Sequence, residues 1–289
     1  MKTILVPTDF SECAGNAARV AADLAKKNQA KLILMHIINM PTYGSNTSID
    51  TWHNVTEGLF IMKHVKNKFT DLLASPFLEG VDVEELVEFN SVYEAIAKIA
   101  KERGADLIIM GSQGSSGTEE MLIGSNTERV IRSSEVPVLT IKNVEEPLLI
   151  KDIVFASNFF EESYVVFNQI KKFARLFDSH IHLLKVVTPS YFETTHYSLK
   201  LMEDFAKKIG LETNYSVNIY NDQSIEQGIH HFAEVVNADL IAMETHGRTG
   251  LRHMIWGSIT EGVANHAKMP VLSVRIPKGE DKGNVIFPE

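Results

Sequence analysis

Short apolar runs alternate with segments whose apolar residues recur at helical spacing, and this alternation passes along the chain twice. Thr3 to Pro7, Lys31 to Ile38, Val83 to Phe89, Leu107 to Met110 and Val136 to Ile141 are continuous, rich in branched residues and bounded by turn formers, which predicts strands. Between them, Ser11 to Asn28, Val55 to Leu73, Val92 to Arg103 and Asn126 to Ser133 carry the helical period. The second half repeats the order, with strands predicted at Asp152 to Ala156, His182 to Val187, Tyr215 to Tyr220, Leu240 to Met243 and Val271 to Val274. Continuous rather than alternating hydrophobicity means burial on both faces, as in a parallel sheet covered by helices. The reading is an α/β fold of two tandem, open, doubly wound parallel five-stranded sheets with helices on both faces. Residues Asn143 to Ile150, with two glutamates and Pro147, form a linker between domains spanning 1–143 and 151–278.

The repeat extends to individual residues. Gly111-Ser-Gln-Gly114, nine further residues and Gly124-Ser125 return as Glu244-Thr-His-Gly247, nine residues and Gly257-Ser258. Asp106 and Asp239, and Pro137 and Pro270, keep the same offset of 133. The openings Ile4 to Phe10 and Ile153 to Phe159 match at an offset of 149, so the first half carries 16 extra residues, placed around Pro41 to His64.

At 44% hydrophobic, 289 residues suffice for two domains with cores of ordinary size. A net charge of −9 argues against a nucleic-acid-binding surface. The single cysteine, Cys13, fits a reducing compartment and reads as a small core residue outside the crevice. The N-terminus has no signal-like apolar region and no run approaches a membrane span, so the expected location is cytoplasmic, with no membrane partner.

In a doubly wound sheet, ligands settle beyond the carboxyl ends of the strands where the strand order reverses. Pro7, Thr8 and Asp9 follow the first strand, and Met110, Gly111, Gln113 and Gly114 follow the fourth. Gly124, Ser125, Asn126 and Thr127 open the next helix, whose free N–H groups favour an anion. These segments resemble the universal stress protein family in its tandem form. Pro-Thr-Asp-Phe-Ser at residues 7–11 and Gly-x2-Gly-x9-Gly-Ser at 111–125 carry the resemblance, which covers nearly the whole chain.

The resemblance implies an adenine-nucleotide alpha hydrolase-like, Rossmann-like fold and an adenine nucleotide, ATP with Mg or Mn carried on it. Asp9 and Ile37 would flank the adenosine, while Gly111, Gly114, Gly124, Ser125 and Asn126 would line ribose and phosphates. The loop lacks the lysine of a Walker A motif. In the second half Glu244 replaces the first glycine, Asn158 the aspartate and Ala156 the proline, so the site of Ser157, Asn158, Val186, Gly247, Arg248, Gly257 and Ser258 is doubtful for ATP. The bland alternatives stand beside these readings: glycines that only serve turns, Asp9 as a helix N-cap, and His36 as a packed residue.

Scattered histidines, among them His180, His182, His230, His231 and His246, lack His-x3-His or Cys-x2-Cys spacing, so no metal site is expected. Nor is there a nucleophile elbow, and the first loop is followed by Glu119 and Glu120 without a cation before Arg129. No catalytic residue is assigned, and enzymatic activity is not expected. The last strands, Val136 to Ile141 and Val271 to Val274, would expose apolar edges. The resemblance implies that they pair, making the two halves an internal pseudo-dimer, with a homodimer of the chain left open. Tyr43 and Trp52 in the insertion suggest that the segment between Thr42 and Asn54 is a mobile cover over the first site or packs on the other half.

The expected function is a cytoplasmic stress-response sensor or regulator that binds ATP or a related adenine nucleotide mainly in its first domain. The alternatives are a ligand-independent dimerisation or interaction protein with vestigial loops, and a slow nucleotide hydrolase.

Overall fold

The computed structural model describes residues 1–38, 50–89, 91–112, 124–142, 148–245 and 254–277, with backbone alone for 50–57 and 254–258. The first half runs β1 (Thr3–Pro7), α1 (Glu12–Asn28), β2 (Lys31–Ile38), α2 (Asp50–Leu73), a short 3-10 turn at Pro76–Leu78, β3 (Val83–Phe89), α3 (Val92–Glu102), β4 (Leu107–Gly111), α4 (Ser125–Ser133) and β5 (Val138–Ile141). The second repeats it as β6 (Asp152–Ala156), α5 (Ser163–Arg175), β7 (His180–Val187), α6 (Thr195–Lys208), β8 (Tyr215–Asn221), α7 (Ile225–Val235), β9 (Leu240–Thr245), α8 (Met254–His266) and β10 (Val271–Arg275).

The strands form one ten-stranded sheet in the order β3-β2-β1-β4-β5-β10-β9-β6-β7-β8. Each half is parallel, and the order reverses between β1 and β4, and again between β6 and β9. The two five-stranded sheets join through β5 and β10, which pair antiparallel with Leu139 opposite Leu272. Thr140 Oγ1 donates to Val271 O at 3.2 Å and Arg275 Nη1 to Ser133 O at 2.7 Å. The Arg132 guanidinium, pairing with Glu128 on its own helix and Glu261 on α8, spans the same seam.

Alternate strand residues face opposite sides, as the pleat requires. Ile4, Val6, Leu139, Phe155 and Leu272 belong to one buried layer, and Leu5, Ile108, Val138, Val154 and Val271 to the other. Both layers continue across the seam. Helix α1 lies on β1 and β4 with the small residues Ala14, Ala17, Ala18 and Ala21 buried, which lets it approach the sheet closely.

The halves are pinned alike. Asp106 Oδ2 accepts from the backbone N–H of Lys2 and Thr3, and Asp239 Oδ2 from those of Lys151 and Asp152. Left-handed residues recur at the repeat offsets: Phe10 and Phe159, Gln29 and Asp178, Gly104 and Asn237.

Two sequence expectations change. The segment around Trp52 to Asn54 is not loop: α2 begins at Asp50 and runs 24 residues against 14 in α6, so part of the insertion lengthens a helix. The rest of the expected cover, including Tyr43, lies outside the described residues. In the second half β9 continues through Glu244 to Thr245, pairing with β10 to Arg275, where a loop was expected.

Candidate functional site

The reversal between β1 and β4 puts the first-half candidates at one crevice. Thr8 donates its N–H to Met35 O on β2 at 2.8 Å, and His36 Nδ1 lies 2.8 Å from Thr8 O, so the end of β1 is locked beside Ile37. Thr8 Oγ1 accepts from the N–H of Phe10 at 3.0 Å, and Asp9 Oδ1 from that of Ser11 at 3.0 Å. Ser11 Oγ then caps α1 by accepting from Ala14 N. Asp9 therefore shapes the turn rather than capping the helix. The turn holds Phe10 at φ 61°, an uncommon conformation for a bulky residue, with its ring 4.8 Å from that of His36.

On the other side, Gly124 is the N-cap of α4 at φ −62°, ψ 142°, and donates its N–H to Ser112 O at 2.7 Å. Thr127 Oγ1 donates to Gly111 O at 3.1 Å, tying the first turn of α4 to the end of β4. Ser125 and Asn126 open the helix and are exposed, with their backbone N–H groups at its positive end. Buried Ser112 Oγ has no hydrogen-bond partner among the described residues. Pro7 and Met110 are buried strand ends beneath these groups. Gln113 and Gly114 lie outside the described residues.

Gly111 is bare for a reason the sequence did not reveal. A Cβ there would sit 2.8 Å from Cys13 Sγ and 2.9 Å from the backbone C and O of Cys13. Positive φ is not involved, and Cys13 is beside the crevice rather than outside it, its Sγ 3.6 Å from Ile141 O.

The second half keeps the turn and fills the crevice. Ser157 Oγ accepts from Phe159 N at 2.8 Å and Asn158 Oδ1 from Phe160 N at 3.1 Å, matching the first half bond for bond. Thr260 Oγ1 donates to Glu244 O at 3.0 Å, as Thr127 does to Gly111. The side chain of Glu244, however, points inward. It is wholly buried, 3.0 Å from Ser157 Oγ, which in turn lies 3.1 Å from the equally buried Ser163 Oγ. Ser163 stands where α1 has Ala14, and Phe160 where it has the capping Ser11. Without that cap α5 starts two residues later by the repeat register, and no side chain caps it. The helix that would collide with a side chain at this strand end has thus withdrawn its first two residues.

The sequence led us to expect Glu244 to point into the crevice; instead its carboxylate is wholly buried against Ser157. At the opposite wall Lys185, replacing His36, is buried with its Nζ 3.3 Å from Asn158 O and 3.2 Å from Glu193 Oε2. Val186 packs so closely on α7 that a Cβ at Gly228 would lie 2.5 Å from its Cγ1. Gly257 and Ser258 sit three residues inside α8, which starts at Met254, rather than at its N-terminus. Gly247 and Arg248 lie outside the described residues.

The histidines divide. His182 is held between Ser216 Oγ (2.9 Å) and Asp152 Oδ1 (3.0 Å), with the His180 ring 4.6 Å away, and His231 pairs with Asp222 at 2.6 Å. Sequence reading passed over a further group: Glu226, His230 and His266 offer donor atoms within 4.8 Å of one another. The local signal for it was Glu226 and His230 at i and i+4 on one face of α7, with the third member on another helix.

The model of the universal stress protein family matches twice, at residues 1–142 and 150–275. A universal stress protein of Methanocaldococcus jannaschii is 32% identical over 154 residues, covering 49% of this chain and 94% of its own length. One of Bacillus subtilis is 31% identical over 151 residues, 48% of this chain and 97% of its own. Over the full length, the crystal structure of a universal stress protein from Archaeoglobus fulgidus superposes with a TM-score of 0.66 at 23% identity, covering 96% of this chain and 97% of that one. The single-domain relatives each account for one unit and the two-unit structure shares the overall fold; the chain belongs to the universal stress protein family and carries its domain twice.

Proposed function

We propose that the first unit, residues 1–143, binds an adenine nucleotide, ATP or a close relative, and that the second, residues 151–278, does not. The chain then acts as a nucleotide-responsive regulator in the cytoplasm, not as a catalyst, and its two units behave as an internal pseudo-dimer.

The observation that carries this reading is the contrast between the two strand-end crevices. In the first, the residues fit an anionic ligand: the buried Ser112 hydroxyl has no partner among the described residues, and Ser112 O is tied through the Gly124 N–H to the positive end of α4. Asp9, held in its turn, offers a carboxylate for hydroxyls of a ribose. In the second, the wholly buried Glu244 stands at the matching strand end, with one carboxylate oxygen on Ser157 Oγ and Ser157 Oγ next to Ser163 Oγ. Bound nucleotide would bring Mg or Mn on its phosphates, supplying charge neutralisation. The chain's own groups position the phosphates by backbone N–H donation.

Nothing described around the first crevice supplies a cation to meet developing charge, which phosphoryl transfer needs. Titration calorimetry with ATP and Mg²⁺ tests the proposal. One site per chain, abolished by Gly114→Val and untouched by Gly247→Val, is the expected result. Two equivalent sites, or turnover near the enzyme median of about 10 per second, would reject it.

A further inference from the structure

The cleft between α7 and α8 has features that the nucleotide reading does not use. Glu226 and His230 lie one turn apart on α7, and His266 ends α8 opposite them. One donor atom from each falls within 4.8 Å of the others. The cleft is a cavity of about 330 Å³, open to solvent on the side of His266.

The detail of the group is that of a prepared ligand set. His230 Nε2 is buried and has no hydrogen-bond partner among the described residues. His266 Nδ1 lies 2.7 Å from Glu226 Oε1 and 3.0 Å from Gly262 O. The Nδ1 edge of the ring therefore faces the Glu226 carboxylate, and with the proton on Nε2 it is Nδ1 that carries the lone pair a cation held between the two would take.

Gly262 completes the arrangement. A Cβ there would stand 2.3 to 3.0 Å from the Glu226 carboxylate, so only the bare backbone lets that carboxylate lie against α8 one turn before His266. The first half, read at the offset of 133, has none of this. Tyr93, Ala97, Arg129 and Ser133 take the four positions, and Arg129 sits over the Tyr93 ring at 5.4 Å. The group is therefore not a by-product of the fold.

We propose that Glu226, His230 and His266 bind a late first-row divalent cation, with Zn²⁺ the best match. Two imidazole nitrogens and one carboxylate oxygen suit zinc and its neighbours rather than Mg²⁺ or Ca²⁺, which take oxygen ligands. Three protein ligands and a solvent-open cleft leave the fourth position to water or an exchangeable ligand. Two cations stand near: Lys268 lines the cleft and pairs with Glu234 at 3.1 Å, and Lys142 donates to Asn265 O at the end of α8. The site belongs to the second unit and stands whether or not the first binds nucleotide.

The test is calorimetric titration of the metal-stripped, tag-free full chain with Zn²⁺ in a non-chelating buffer. One Zn²⁺ per chain is expected, insensitive to excess Mg²⁺. His230→Ala and His266→Ala should each weaken it at least tenfold, and Gly262→Ala should weaken it by displacing Glu226, whereas His180→Ala should not. Because His266 is exposed at a helix end, its variant removes a ligand without disturbing the core. Absent binding, or binding unchanged in His230→Ala and His266→Ala, overturns the proposal. Co²⁺ gives an independent readout: visible bands of a four-coordinate site that vanish in His266→Ala support it, and bands that persist oppose it.

Discussion

The ends of β4 and β9 occupy the same place in two copies of one domain, and their backbones are tied down alike. Thr127 and Thr260 each reach back to the carbonyl of the last shared strand position, and the turns after β1 and β6 repeat one another bond for bond. The difference lies in what fills the volume above. In the first half a close-packed helix start demands glycine at the strand end, so no side chain enters the crevice from that position. In the second, the missing cap at Phe160 lets the helix recede, and Glu244 with two serines takes the space. A strand end can thus be filled with one residue added to each of two strands and the strand order unchanged.

The largest effect should come from forcing one copy into the other's state. Gly111→Glu places a Cβ within 3 Å of the Cys13 backbone, with α1 still capped by Ser11. Overpacking of this kind costs about 1–3 kcal/mol. ATP binding should vanish and the first unit should melt several degrees lower, as calorimetric scanning would show. Retained affinity would mean that the glycine is irrelevant to the site. The reciprocal Glu244→Gly leaves the buried serines short of a partner and should not create a second ATP site, since Lys185 and the late α5 remain.

A subtler comparison uses the paired threonines. Thr127→Ala and Thr260→Ala each remove one hydrogen bond worth about 1 kcal/mol, so both should lower the melting temperature by a similar few degrees. Only Thr127→Ala should also weaken ATP, because only there does the tie hold a binding wall. Equal losses of affinity would erase the distinction between the halves.

The smallest effect concerns acid. Burial holds the His230 pKa below its ordinary value, Glu226 and Glu234 opposing this and His266 and Lys142 reinforcing it. The folded chain keeps this ring neutral while the unfolded chain protonates it below about pH 6.5. Stability from this group is therefore intact above that pH and declines as pH falls toward the folded value, by at most one proton's worth of slope. In denaturant titrations from pH 7.5 to 5.5 in the absence of metal, His230→Gln should lose that part of the decline. The first half, with Ala97 at this position, has no counterpart.

The strands were legible because residues buried on both faces leave continuous apolar runs, and the repeat was legible because its offsets hold at single residues. The direction of Glu244 was not. A buried carboxylate at a strand end depends on Ser163 and on where α5 begins, and both are settled by packing between elements remote in sequence. Cys13 was misplaced for the same reason: its helix looked like ordinary core, and only the approach of α1 to β4 sets it beside the crevice. The α7–α8 cleft needed three residues from two helices, of which the local pattern offers only Glu226 and His230. The early start of α8 at Met254 likewise ran against the Gly257-Ser258 step that should have opened it.

The seam between β5 and β10 has a further consequence. When two identical chains meet edge to edge, every substitution appears on both sides at once, so neither copy can be plugged without plugging its twin. Here both sides of the seam are written in one chain, and residues such as Leu139 and Leu272 hold them together whatever happens at the crevices. Symmetry is thereby relieved of its veto. One unit can keep an open crevice while the other gives up its own and acquires different side chains elsewhere, and the ratio of the two kinds of unit stays fixed at one to one by covalent bonds.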